Sequence, residues 1–302
     1  MSTPHSPDSG PAIRRAVIPA AGLGTRLQPL TSSIPKEMLP VGRLPVLAHI
    51  AAELRGAGIT DALFVVSDQK PQIRAFFGDS YRGAESTSSH VTIPPLRCHY
   101  ITQVNQRGLG DALLYAEEWV AGEPFVVAFG DCMMDAVDPS APLRRLIDDH
   151  LTQYSGATAL AEEVARDQVF RYGVLAPKLG VDNGARTAIQ LSDVVEKPSP
   201  EEAPSNLVVA GRWALNPTVF GFLKQTALDA RGELTLTDAV RAMVAAGHAF
   251  WATPLLPGEM RFDIGNFETY FASFIRAALR DSEFGESARR TAQAELAAKQ
   301  SQ

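Results

Sequence analysis

A run of strand-forming residues, Ala16-Val17-Ile18, stops at Pro19 and passes at once into Ala20-Ala-Gly-Leu-Gly-Thr-Arg26. A buried strand that opens into a glycine loop confines the chain to few architectures, because such a loop belongs at the carboxyl end of a sheet strand. The rest of the first half repeats this alternation. Val46 to Gly56 predicts a helix with Val46, Leu47, Ile50 and Leu54 on one face, and Ala62 to Val66 predicts a second strand. Leu109, Ala112, Leu113, Ala116 and Val120 form a helical stripe, and Phe125 to Phe129 reads as another buried strand. Apolar strands alternating with amphipathic helices imply an α/β fold with a mixed, mainly parallel sheet flanked by helices.

After Gly156 the pattern changes. Thr158 to Glu163, Gly173 to Ala176, Ala188 to Val195 and Leu207 to Leu215 read as strands with little helix between them, a small antiparallel extension of the same sheet. Helix returns at Leu236 to Ala246, opened by the capping box Thr235-Leu-Thr-Asp238 and closed by Gly247. Two helices are expected from Asn266 onward. The division expected is a disordered tail over 1–12, one domain over 13–282, and a C-terminal helix or tail over 283–302. Within that domain the change of pattern marks two halves, about 13–155 and about 156–266. The stretch Gly78 to Pro95 is a loop by composition, and the C-terminal helices are candidate contacts for a homo-oligomer.

Composition excludes several classes. Lys plus Arg is 28 against 34 Asp plus Glu, a net charge of −6, which is not the footprint of a nucleic-acid binder. No apolar run approaches a membrane span, and the N-terminal residues have no signal-peptide core. Two cysteines, Cys98 and Cys132, make no disulfide framework, so a reducing compartment, the cytoplasm, is expected.

The glycine loop admits three functional readings and one structural one. A dinucleotide fingerprint needs glycine at 27, where this chain has Leu27, and Pro29 follows. A Walker loop needs a Gly-Lys-Ser/Thr ending that is absent. A loop that wraps a nucleoside triphosphate fits better: Gly22 and Gly24 bring backbone N–H groups close to an anion, Thr25 adds a hydroxyl, and Arg26 adds a cation. The structural alternative is a tight strand-to-helix turn. Ten residues on, Pro35-Lys-Glu-Met-Leu-Pro40 presents Lys36 from a rigid extended segment as a second point charge for phosphate, or as a solvated loop lysine.

Together, Gly22-Leu-Gly-Thr-Arg26 and Pro35-Lys-Glu-Met-Leu-Pro40 resemble the signature of sugar-1-phosphate nucleotidyltransferases, and Ala20-Ala21 is similar to their bacterial UTP–glucose-1-phosphate uridylyltransferase branch. Further matches follow in order: Gln103 with Gly108-Leu-Gly110, Tyr172-Gly-Val174, Val195-Glu-Lys-Pro198, Ala203-Pro-Ser-Asn206, Gly211-Arg-Trp-Ala-Leu215, Leu236-Thr-Asp238 and Asp263-Ile-Gly-Asn266. The resemblance implies a Rossmann-like nucleotide-diphospho-sugar transferase fold, with a nucleotide-binding half at about 13–155 and a sugar-phosphate half at about 156–266. It also implies transfer of a uridylyl group from UTP to glucose 1-phosphate, giving UDP-glucose and pyrophosphate with Mg²⁺. It leaves open dTTP or another nucleotide, another sugar phosphate, and a nucleotide-binding regulatory subunit. That last reading expects lost lysines or aspartates, and here all are kept.

Roles follow by position. Arg26 and Lys36 would hold the triphosphate, with Ala20, Ala21, Gly22, Gly24, Thr25 and Gly108 around the nucleotide. Asp131 and Asp263 would share the metal. Lys197 would bind the sugar phosphate and Glu196 the sugar hydroxyls, beside Gly173, Gly211 and Asn206. Gln103 would read the base, because an amide complements the donor and acceptors of uracil. A sugar phosphate is largely dianionic at neutral pH and needs no general base, so catalysis reduces to positioning and charge neutralisation.

Overall fold

The computed structural model describes residues 12–83, 94–153, 155–180 and 188–300. The expected N-terminal tail up to residue 11 and the centre of the 78–95 loop lie outside them.

The chain lays down β1 (Arg15–Pro19), short β2 (Pro40–Val41) and β3 (Leu44–Pro45), α1 (Val46–Gly56), β4 (Asp61–Val66) and α2 (Pro71–Phe77). Then come β5 (Ser80–Tyr81), β6 (Leu96–Thr102), α3 (Leu109–Leu114), α4 (Glu117–Val120), β7 (Phe125–Ala128), β8 (Cys132–Asp135) and α5 (Ala141–Thr152). The second half holds β9 (Ala157–Glu163), β10 (Gly173–Pro177), β11 (Ile189–Glu196), β12 (Leu207–Leu215), α6 (Val219–Gln225) and α7 (Leu236–Ala245). It ends with β13 (Phe250–Pro254), β14 (Met260–Asp263), α8 (Phe267–Arg280) and α9 (Gly285–Gln300).

One sheet of ten strands carries the order β10-β11-β13-β9-β12-β7-β1-β4-β6-β5. The run β7-β1-β4-β6 is parallel, as the strand–helix alternation requires. β12 is antiparallel to both β7 and β9, and β10 and β11 extend that antiparallel part. All nine residues of β12 are buried, the pattern of a strand covered on both faces.

Alternation along β1 explains the two cores. Ala16 and Ile18 face one apolar layer with Leu47, Ile50 and Leu54 of α1, while Val17 faces the other with Leu113 of α3 and Val240 of α7. Thr235 caps α7 by accepting from the Asp238 N–H at 3.1 Å. The stripe from Leu109 to Val120 is divided between α3 and α4 rather than carried by one helix. β13 was not anticipated: it inserts between β11 and β9 and runs parallel to β9. Among the described residues no helix is long and apolar enough to cross a membrane.

Candidate active site

β4 and β7 leave β1 on opposite sides, so the strand order reverses there and the loops after β1 and β7 part to form a crevice. Two adjoining cavities occupy it. The smaller, about 480 Å³, is walled by Gly22, Gly24, Thr25, Gln103 and Gly108. The larger, about 660 Å³, is walled by Gly173, Glu196, Lys197, Thr237, Arg261 and Asp263. Arg26, Lys36 and Asp131 line both.

The glycine loop is held from behind. Lys70 Nζ donates to the carbonyls of Ala20 at 2.7 Å and Gly22 at 2.6 Å, and to both oxygens of Glu37 at 2.9 and 3.0 Å. One buried ammonium therefore ties the loop to the Pro35–Met38 segment. Burial, working against the neighbouring lysines, raises the Glu37 pKa, and burial lowers that of Lys70. Gly24 adopts φ 66°, and a Cβ there would stand 3.1 Å from the Thr31 methyl. Arg26 sits in the short 3-10 turn Thr25–Leu27, anchored by buried Leu27.

Lys36 reaches Asp131 at 2.5 Å. Burial opposes charge on both groups, but each outweighs that cost for the other: the Lys36 pKa is raised and the Asp131 pKa is held below the usual carboxylate range. Asp131 precedes β8, and Asp263 ends β14 opposite Cys132, so the β8–β14 ladder sets the two residues on adjoining backbone at the wall of the larger cavity. The Ile264 N–H donates to the Asp131 carbonyl at 3.0 Å. Asp263 Oδ1 accepts from the Gly265 N–H at 3.0 Å and from Thr269 Oγ1 at 3.2 Å. Two hard-oxygen donors suit Mg²⁺, which takes one or two protein carboxylates and completes its shell with phosphate and water. Among the described residues no group of three or more His, Cys, Asp or Glu side chains forms a fuller metal site.

At the far wall, Lys197 takes φ 47° and lies 3.2 Å from Glu196, whose Oε2 accepts from Thr237 Oγ1 at 2.7 Å. Arg261 pairs with Glu162 and lies over the Tyr172 ring, 4.2 Å from its centroid. Gly173 pairs with Glu196 across β10 and β11. Cys132 also lines this cavity, but its thiol turns to the Ala210 carbonyl of β12 at 3.7 Å; burial pushes the thiol pKa up to about 12, so it stays protonated.

Three expected residues stand outside both linings. Asn206 is exposed, its Oδ1 accepting from Arg166 at 3.3 Å, because it precedes β12 at the strand's outer end. Gly211 is buried beneath the site, its carbonyl accepting from the Phe129 N–H at 3.0 Å. Ala20 is buried and meets Lys70 through its carbonyl. Val209 and Trp213 of β12 line the wall instead. Sequence reading gave no site role to Glu37, Lys70, Asp111, Thr237 or Arg261. Glu37 and Thr237 carried a signal, because they stand inside the Pro35–Pro40 and Leu236–Asp238 motifs.

These features define a class before they define a substrate. The nucleotidyl transferase family model matches residues 15–278, and the chain belongs to that family of enzymes. The UTP–glucose-1-phosphate uridylyltransferase of Streptococcus pneumoniae serotype 4 is 36% identical over 278 residues, covering 89% of this chain and 91% of its own. A UDP-glucose pyrophosphorylase complexed with UDP-glucose superposes with TM-score 0.75 at 29% identity, covering 87% of this chain and 97% of that one. A UTP-bound UGPase from Acinetobacter baumannii superposes with TM-score 0.77 at 25% identity, covering 93% and 99%.

Proposed function

We propose that the protein transfers a uridylyl group from UTP to glucose 1-phosphate, releasing pyrophosphate and forming UDP-glucose. The observation that carries this reading is the junction itself: two cavities meet at Arg26, Lys36 and Asp131. Such a junction suits a reaction in which two bound phosphorylated molecules must meet at one phosphorus. The glycine loop and Gln103 wall the nucleotide side. The larger cavity sets six cations, Arg26, Lys36, Arg171, Lys197, Arg231 and Arg261, against four carboxylates, which suits a phosphorylated sugar. The names of the relatives agree with this assignment.

The sugar phosphate attacks the α-phosphorus in line as pyrophosphate leaves. Arg26 and Lys36 neutralise charge that builds on the α-phosphate and the departing oxygens, and backbone N–H groups of the glycine loop cradle the phosphates. Lys197 holds the sugar phosphate and Glu196, oriented by Thr237, accepts from sugar hydroxyls. Asp131 and Asp263 would hold Mg²⁺, which when bound neutralises phosphate charge. Two buried, unpaired thiols support a reducing compartment, the cytoplasm.

The test is pyrophosphate release with glucose 1-phosphate and Mg²⁺ across UTP, dTTP, CTP, ATP and GTP. Selective turnover of UTP is expected. Selective turnover of dTTP would move the protein to a thymidylyl assignment, and no release with any nucleotide would overturn the reading.

A further inference from the structure

Gln103 lies 5% exposed in the wall of the smaller cavity, and its Nε2 is already committed. It donates to Asp111 Oδ2 at 2.7 Å and to the Gly108 carbonyl at 3.4 Å. Asp111 is 3% exposed in the first turn of α3. Its other oxygen, Oδ1, accepts from Arg107 Nε at 3.2 Å and Nη2 at 3.0 Å. A carboxylate paired with a guanidinium only accepts hydrogen bonds, so the branch of the Gln103 amide that faces it must be NH₂. The two branches of an amide are alike in shape, and its hydrogen-bond partners settle which is which. Here the partner leaves one answer, and Oε1 is the polar atom the amide has left to offer a ligand.

We propose that Asp111 is a specificity-determining positioning residue: by fixing the Gln103 amide it makes the base-reading wall a hydrogen-bond acceptor, selecting a base with an imino N–H and excluding cytosine. This rests on the uridylyl reading above. Uracil and thymine carry N3–H, which donates to Oε1. Cytosine carries a lone pair at N3, which sets acceptor against acceptor. An unanchored glutamine would relieve that conflict by turning its amide over. Anchored to Asp111, it cannot do so without setting Oε1 against a carboxylate. Arg107 completes the device by holding Oδ1, so that Oδ2 is left for Gln103.

Asp111→Asn tests this with almost no change in volume. Arg107 still requires an acceptor, so the Asn oxygen stays with Arg107 and its NH₂ takes the place of Oδ2. Gln103 must then turn its oxygen toward that NH₂ and present N–H to the base. The expected result is a lower kcat/KM for UTP, a higher one for CTP, and a fall of about 100-fold in their ratio, the scale set by leaving one buried polar group unpaired. The KM for glucose 1-phosphate should stay unchanged. A residue that merely supported the fold would lower both nucleotides together and leave the ratio alone.

A second measurement needs no variant. Wild-type enzyme should use N3-methyl-UTP about 100-fold less well than UTP. Wild-type enzyme that uses CTP as readily as UTP would overturn the uridylyl reading and this inference with it. Wild-type enzyme selective for UTP overturns the Asp111 assignment alone if its Asp111→Asn form keeps the UTP-to-CTP ratio, or if it accepts N3-methyl-UTP as well as UTP.

Discussion

Lys70 never faces either cavity, yet it touches the glycine loop twice and Glu37 twice. Replacing it with methionine leaves the Glu37 carboxylate buried without its counter-ion, and breaking a buried pair in this way costs about 3–5 kcal/mol. Urea unfolding of Lys70→Met should register that loss, and a loss under about 1 kcal/mol would mean that the pair compensates little. The double variant Lys70→Met/Glu37→Leu should regain much of the stability, because apolar replacements of similar size remove both charges together. It should not regain the low KM for nucleotide, because the Ala20 and Gly22 carbonyls lose their donor in both variants. Little of this was legible in the chain. A lone lysine before Pro71 has no spacing that marks it, and its partners come from segments 33 and 48–50 residues away. Asp111 was silent although its partners lie only 4 and 8 residues away, because an acidic residue in a helix's first turn is commonplace, whereas Arg26 and Lys36 sit in short motifs whose glycines and prolines announce backbone geometry.

Between Val209 and Trp213 the pairing of β12 with β9 slips, and Gly211 takes φ 74° at that irregularity. A Cβ there would lie 2.7 Å from Cys132 Sγ and 3.1 Å from Cys132 Cβ, next to Asp131 in the chain. Gly211→Ala combines a disfavoured backbone angle with overpacking, and should destabilise by about 1–3 kcal/mol. Adding Cys132→Ala should remove the 2.7 Å clash with Sγ and leave the 3.1 Å approach of the two Cβ atoms and the backbone cost, so denaturation of the single and double variants isolates the thiol's share. Equal stability of Gly211→Ala and wild type would show that β12 shifts freely. The strands and helices of the first half were readable because each is a local pattern of apolar spacing. β13 was not, because its place between β11 and β9 depends on residues about 60–90 positions away. The strand β12 was readable, but Asn206 and Gly211 were expected at the sugar wall from the motifs they sit in, and a motif does not say which residues of a strand and its flank face the cavity.

Stability of the whole molecule should depend on one buried histidine. His150 of α5 is 2% exposed, its Nδ1 3.0 Å from Thr158 Oγ1 of β9, and burial pushes its pKa from 6.5 down to about 4. Below pH 6.5 the unfolded chain binds a proton that the folded one refuses, so unfolding gains as pH falls. Stability should therefore drop progressively between about pH 6.5 and pH 4, by up to about 3 kcal/mol from this group, and be insensitive to it above that window. Denaturation midpoints at pH 7.5 and pH 5, compared between wild type and His150→Asn, check this. An identical pH response in both would assign the loss to other groups. The order in which the molecule is made bears on its activity as well. Asp131 meets Asp263 only through the β8–β14 ladder, so the second carboxylate is synthesised 132 residues after the first. A nascent chain on the ribosome carries the glycine loop, Arg26 and Lys36 for more than 200 further residues of elongation before Asp263 is added. The growing polypeptide can thus meet nucleotide long before it can complete the centre that acts on it.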